Sequence, residues 1–376
     1  MFAAAPDRNR YMLSGPLAHE GYDWWWHNFT ARHETTGEEK AFFIEYFVCN
    51  PALAADKALF GGDGTRPSYG MVKVGCWGPD ARQLHSFFGM KQVDIAPGDA
   101  LSIRMGHNVV TETAMSGSCR ISLQEAAAHP EWMSDAGSMR WQLSIDKQIH
   151  YSVGYGASAP ARTLNLFEMY WHAEGIKTQY TGWVELDGER YIVTPETSFG
   201  YADKNWGGNF TSPWLWIASC DLVSKATGKR LDNSALEIGG GRPKVLGVAL
   251  DKRLLAYLAY EGTGYDFNFS KPWQGSSVTF GFTEDGAQNR WSVIAKNRAT
   301  QMEVDLACPR DEMLLMRYQS PDGARRHNRL WNGGTGTGEI RLFSRKGNDL
   351  APIDTTTMAH VGCEYGEYDA PGPYGF

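Results

Sequence analysis

The segment Tyr201-Ala202-Asp203-Lys204-Asn205-Trp206-Gly207 puts a carboxylic acid between a phenol and an indole, and Trp214-Leu215-Trp216 follows closely. An acid among aromatic faces suits reactions through short-lived carbocations, which need a proton donor and stabilisation of positive charge without a nucleophile. Asp203 is the candidate general acid, provided that burial lifts its pKa above that of a free carboxyl. A turn aspartate accepting backbone N–H groups would look the same in sequence. In an extended chain Tyr201 shares a face with Asp203, so its hydroxyl can reach the carboxyl or a substrate oxygen. The same alternation sends Lys204 to the opposite face, whereas an inward Lys204 would ionise the acid.

Trp24, Trp26, Trp206, Trp214 and Trp216 are candidates for the walls of a pocket, with Trp26 and Trp206 the preferred pair. An indole face beside a developing cation contributes about 0.5 to 2 kcal/mol. Alternation means that about half of these rings must face elsewhere, where they would serve as core. The histidines offer no three converging ligands for a catalytic zinc. Neither Gly239–Gly241 nor the glycines from Gly333 to Gly338 open a strand-loop-helix unit, so they read as bends and turns and not as phosphate loops. The expectation is a site with no metal and no cofactor.

The elements around these residues are strands. Lys40–Val48, Ser68–Val74, Arg140–Ile145 and Gly182–Leu186 are short, partly alternating and rich in aromatic and β-branched residues. Asp187-Gly188, Asp285-Gly286 and Asp322-Gly323 are hairpin-type turns. The best helix candidate runs from Ser122 to Met133, where Ser122 can cap a turn that Pro130 stops.

Two echoes link the halves. Trp24-Trp25-Trp26-His27 matches Trp214-Leu215-Trp216-Ile217, and Gly182-Trp183-Val184-Glu185-Leu186 matches Gly338-Glu339-Ile340-Arg341-Leu342. They predict a duplicated β-barrel, with one unit at 1–208 and a second at 209–376. The Gly-, Pro- and acid-containing tail from Ala351 to Phe376 reads as irregular. Pockets favour junctions between domains, and Asp203 lies at this boundary.

The chain has 376 residues and a formal net charge of −7, with no basic stripe, so a nucleic-acid partner is not expected. No apolar run reaches membrane-spanning length, and residues Met1 to Pro16 lack the pattern of a signal or transit peptide, which points to the cytoplasm. The six cysteines are scattered and read as reduced, buried thiols. Composition leaves the oligomeric state open.

At Tyr201–Gly208 and Trp214–Trp216 the chain resembles the tocopherol cyclases, and more distantly the carotenoid hydratases and the fungal Diels–Alderases. Plant tocopherol cyclases carry Tyr-Ser-Glu-Lys-Asn-Trp-Gly-Gly followed by a Trp-x-Trp strand. Here the acid is Asp203 where those enzymes have glutamate. Weaker similarity runs through Thr181–Trp183, Gly188–Tyr191, Gly239–Gly241 and Trp24–Phe29.

The resemblance implies an all-β fold of two tandem lipocalin-like antiparallel barrels with few short helices. It also implies a cofactor-independent isomerase that closes a ring on a hydrophobic phenolic or isoprenoid molecule. The related hydratases present a histidine and a tryptophan where this chain has Met169–Gly175. His172 is therefore the candidate second proton-transfer group, ahead of Glu174, and Trp171 joins the candidate pocket wall. Three other readings remain open: phenoxide addition to an enone, using Lys204, His172 or Arg190; hydration of an alkene; and a lipocalin-like carrier that only binds an apolar ligand.

Overall fold

The computed structural model describes residues 9–53, 66–98, 100–151, 167–242, 244–245, 248–249, 253–269, 271–323 and 326–367. Within them two large antiparallel sheets follow one another along the chain, with a two-stranded ribbon, Lys244–Val245 and Val248–Ala249, within the stretch of chain that forms the second. The first has twelve strands between Tyr22 and Gly207, and the second has eleven between Trp214 and Gly366. Each curls back towards itself. In the first, Ser86 on Arg82–Phe88 comes within 3.0 Å of Cys119 on Ala114–Ile121. In the second, Arg253–Tyr260 packs against Ser277–Asp285.

The protein is thus all-β, with two barrel-like sheets of lipocalin-like character. The one α-helix among the described residues, Leu123–Ala128, is capped by a reciprocal pairing of Ser122 and Glu125. All six cysteines are buried as free thiols.

Strands on the outer walls alternate cleanly. On Gly137–Tyr151, Met139, Trp141, Leu143 and Ile145 face inward while Arg140, Gln142, Ser144 and Asp146 are exposed. Other strands are buried on both faces: Glu39–Cys49 over most of its length, and Tyr69–Cys76, Gly200–Gly207 and Trp214–Ser219 throughout. Their outer faces meet the other barrel, so polar outward positions disappear. The result is three cores.

Trp25, Phe29, Phe42 and Ile44 belong to the interior of the first barrel, and Leu215, Ile217, Leu236 and Ile238 to the interior of the second. Between them Tyr22, Trp26, Phe43, Phe47, Trp171, Tyr201, Trp214 and Trp216 form a third, aromatic layer drawn from both sheets. Strand alternation sorts neighbours between layers: Trp26 enters the junction while Trp25 enters the first barrel.

Two expectations need correction. The tail is not irregular over most of its described length, because Asp349–Gly366 is an 18-residue strand. It pairs with Arg326–Lys346 on one side and with Trp214–Ser219 and Asp221–Ser224 on the other. Backbone pairing on both sides outweighs its composition. Residues 368–376 lie outside the described residues. The glycine runs are also inside strands, Ala235–Gly241 and Arg326–Lys346, and not in turns.

Candidate active site at the barrel junction

Asp203 sits on Gly200–Gly207, which pairs with Tyr22–His33 on one side and Met169–Leu186 on the other. Its carboxyl points into the junction, and the residue as a whole is 7% exposed. Oδ2 accepts the indole N–H of Trp171 at 2.6 Å and lies 3.2 Å from the Tyr201 hydroxyl. Oδ1 is buried and has no hydrogen-bond partner among the described residues. Burial is the main cause that drives this pKa well above the ordinary carboxyl value, and the Trp171 N–H pulls the other way. The acidic side chains that act on it, Glu364 and Glu174, raise it further.

Tyr201 links Asp203 to a second acid from the other barrel. Its hydroxyl lies 3.2 Å from Glu237 Oε1, and the Trp216 N–H donates to the same Oε1 at 3.1 Å. Glu237 is fully buried and its pKa is also driven far up, first by burial and then by Asp203. One phenol proton cannot be donated to both carboxyls at once, and each acid's charge acts against ionisation of the other. A third junction acid, Glu364, accepts the Trp214 N–H at 2.7 Å and an Asn332 amide N–H, and burial pushes it to about 7.

The rings around these acids are closely fitted. Trp171 and Trp214 meet edge to face at 5.9 Å, and Tyr201 lies 5.0 Å from Trp216. Trp26 stacks on Phe43 at 5.1 Å, and Trp24 stacks on Phe47, Phe210 and Tyr318. Two glycines make this approach of the barrels possible. A Cβ at Gly239 would stand 2.3 Å from the Trp171 ring, and one at Gly334 would stand 2.2 Å from Trp77. Gly239 is therefore a seat for the indole that donates to Asp203.

Tyr201, Trp26, Trp171, Trp214 and Trp216 thus gather with Asp203, and Trp24 lies further along the same face. Lys204 does not. It points into the first barrel, where it pairs with Asp23 and lies 3.9 Å over the Trp25 ring. His172 stands opposite Lys204 in the strand register, on that same face, and Trp206 lies 5.3 Å from the Lys204 ammonium and stacks on Tyr170. Glu174 is paired with Lys147 at 2.8 Å. Arg190 stacks over the Trp183 ring at 4.8 Å.

Sequence reasoning missed Glu237 and Glu364. The available signal was a glutamate inside each of two apolar strands, Ala-Leu-Glu-Ile and Gly-Cys-Glu-Tyr. A hollow lined by Val109, Gln142 and Trp183 lies on the outer wall and contains none of these acids. Among the described residues no three His, Cys, Asp or Glu side chains converge as metal ligands, and no helix is long and apolar enough to cross a membrane.

Two barrel-like sheets thus meet in an aromatic layer that buries carboxyls whose pKa values are raised. Residues 96–367 match the family described as "Tocopherol cyclase-like", and the chain belongs to that family. It is 32% identical over 185 residues to the probable chloroplastic tocopherol cyclase of Oryza sativa subsp. japonica. It is 31% identical over the same length to the chloroplastic tocopherol cyclase of Zea mays. Each match covers 46% of this chain and 35% of the relative, so the chain spans about a third of the length of these relatives. The solved structure of kievitone hydratase from Nectria haematococca aligns over 98% of this chain and 97% of its own, at 11% identity and a TM-score of 0.48.

Proposed function

We propose that this protein is a cofactor-independent cyclase that closes a ring on a hydrophobic molecule bearing a phenolic hydroxyl and a nearby alkene. Asp203 is the general acid. Its O–H proton passes to one alkene carbon, and the alkene π pair forms the new C–H bond. Positive charge develops on the more substituted carbon, facing the indoles of Trp26 and Trp171. The substrate hydroxyl oxygen then bonds to that carbon and releases its proton, so product and substrate have the same composition.

The observation that carries this reading is the setting of Asp203: buried, held by an indole and near a phenol, with other acids acting on it, so that its pKa is driven well above the ordinary carboxyl value and the protonated form is favoured. Membership of the tocopherol cyclase-like family supports a cyclase-type enzyme. In the phenoxide route the hydroxyl would lose its proton to Lys204, His172 or Arg190, all of which lie away from Asp203. The acid route is preferred for that reason.

The test is incubation with a prenylated hydroquinone in deuterated water. Ring-closed product carrying one carbon-bound deuterium is expected. Asp203→Asn should lower kcat by about 10² to 10⁴-fold while the fold is kept. Saturable binding with unchanged hydroquinone would make the protein a carrier and overturn the reading.

A further inference from the structure

A ring closure of this kind also needs somewhere for the hydroxyl proton to go. Strand register supplies a candidate. Trp26 is paired with Asp203 on one neighbouring strand and with Glu45 on the other, and Glu45 is paired in turn with Lys73. Paired residues of an antiparallel sheet share a face. Asp203, Trp26, Glu45 and Lys73 therefore form one row across the junction face of the first barrel. Asp203 and Glu45 stand two strand spacings apart, about 10 Å at the backbone.

The two ends of this row differ chemically. Glu45 and Lys73 are fully buried with 3.5 Å between Oε2 and the ammonium. The Tyr318 hydroxyl, from the second barrel, donates to Oε2 at 2.9 Å, and the ammonium rests 3.1 Å from the centre of the Tyr318 ring while donating to the Arg317 carbonyl at 3.2 Å. The other carboxyl oxygen, Oε1, is buried and has no hydrogen-bond partner among the described residues. Burial raises the Glu45 pKa, and Lys73 acts against that rise by favouring the charged form. Asp203 lacks such a cation beside it. Environments that push two carboxyls apart divide the acid and base roles between them.

We infer that Glu45 is the catalytic base that binds and deprotonates the substrate hydroxyl, across Trp26 from Asp203, with Lys73 and Tyr318 holding its charge. The assignment rests on the ring-closure reading. As the oxygen bonds to the cationic carbon, its O–H bond breaks and the proton passes to Oε1. After product release Glu45 returns a proton to solvent and Asp203 regains one, so no co-reactant is required. Lys73 is a positioning residue that favours the ionised form of Glu45.

The test compares Glu45→Gln with the double variant Glu45→Gln/Lys73→Met, which leaves no unpaired ammonium if the single variant folds poorly. With the prenylated hydroquinone in deuterated water, kcat for ring closure should fall by about 10²-fold. Deuterium should still enter the substrate, and product should shift towards alkene isomer or water-added alcohol, because the cation forms but is not captured. Wild-type kcat in a folded variant would overturn the assignment, as would a loss of deuterium uptake equal to the loss of ring closure.

If the wild-type protein closes no ring, the reaction assigned to Asp203 fails separately. Tryptophan fluorescence then still tests Glu45 as a hydroxyl-binding group. Tighter binding of the hydroquinone than of its methyl ether, lost in the double variant, supports it, and equal binding by the wild-type protein refutes it.

Discussion

Asp23 and Asp203 are buried carboxyls on paired strands, and they differ in what stands beside them. Asp23 faces the interior of the first barrel, where it accepts hydrogen bonds from Lys204 and from the Met12 amide at 2.7 Å. Burial pushes it up to about 6, with Lys204 holding that rise in check. Asp203 faces the junction and has an indole and a phenol in place of a cation. One carboxyl is half of an ion pair, while burial without a cation favours the protonated form of the other. Lys204 is next to Asp203 in the chain, yet strand alternation gives it to Asp23. Chemical role here follows the face of the strand and not distance along the chain.

The strongest challenge to this contrast is Lys204→Met. If Lys204 serves only Asp23, the variant leaves a buried, uncompensated carboxylate and should lose about 3 to 5 kcal/mol of stability, measured by urea unfolding. The double variant Asp23→Asn/Lys204→Met should recover most of that loss and retain the wild-type kcat. A double variant that is stable but inactive would give Lys204 a chemical role and remove the distinction between the two faces.

Trp171→Phe sharpens the contrast from the junction side. The indole N–H lowers the Asp203 pKa against the larger effect of burial. Its loss should therefore raise that pKa further, because the bond favours the ionised form. Because the protonated acid is the active form, rate falls as pH rises through this pKa. The falling limb of the kcat profile should move to higher pH in the variant. A limb that stays in place would mean that the titrating group lies elsewhere.

How much of this was legible in the sequence depends on which faces are buried. Gly137–Tyr151 alternates because one face meets water, so its strand character and inward residues can be read directly. Glu39–Cys49 and Trp214–Ser219 are buried on both faces, which erases the alternation and hides which side Glu45 or Trp216 takes. Asp203 stood out because its aromatic neighbours are local in sequence. Glu237 did not, since a glutamate in a strand reads as an outward residue until the first barrel covers it. The row from Asp203 through Trp26 and Glu45 to Lys73 draws on four strands, and only pairing register assembles it. Composition misread the strand Asp349–Gly366 because backbone pairing decides a central strand.

The smallest effect is expected at the edge of the junction, where the two barrels share a charge that is partly open to water. His360 on the second sheet lies between Asp221, at 2.7 Å, and Glu39 of the first sheet, at 2.6 Å, and stacks on Phe199 at 4.2 Å. Despite a desolvation cost, these two carboxylates raise its pKa to about 9. A folded pKa above the unfolded value of about 6.5 stabilises fully below that value and is lost as pH rises through the folded one. His360→Gln should therefore lower stability by about 1 kcal/mol at pH 6, and the gap in Tm should close above about pH 9. A gap independent of pH would mean that the imidazole acts only as a flat surface against Phe199. The charged contact across the barrels would then contribute nothing, leaving the aromatic layer to hold the acids of the junction in place.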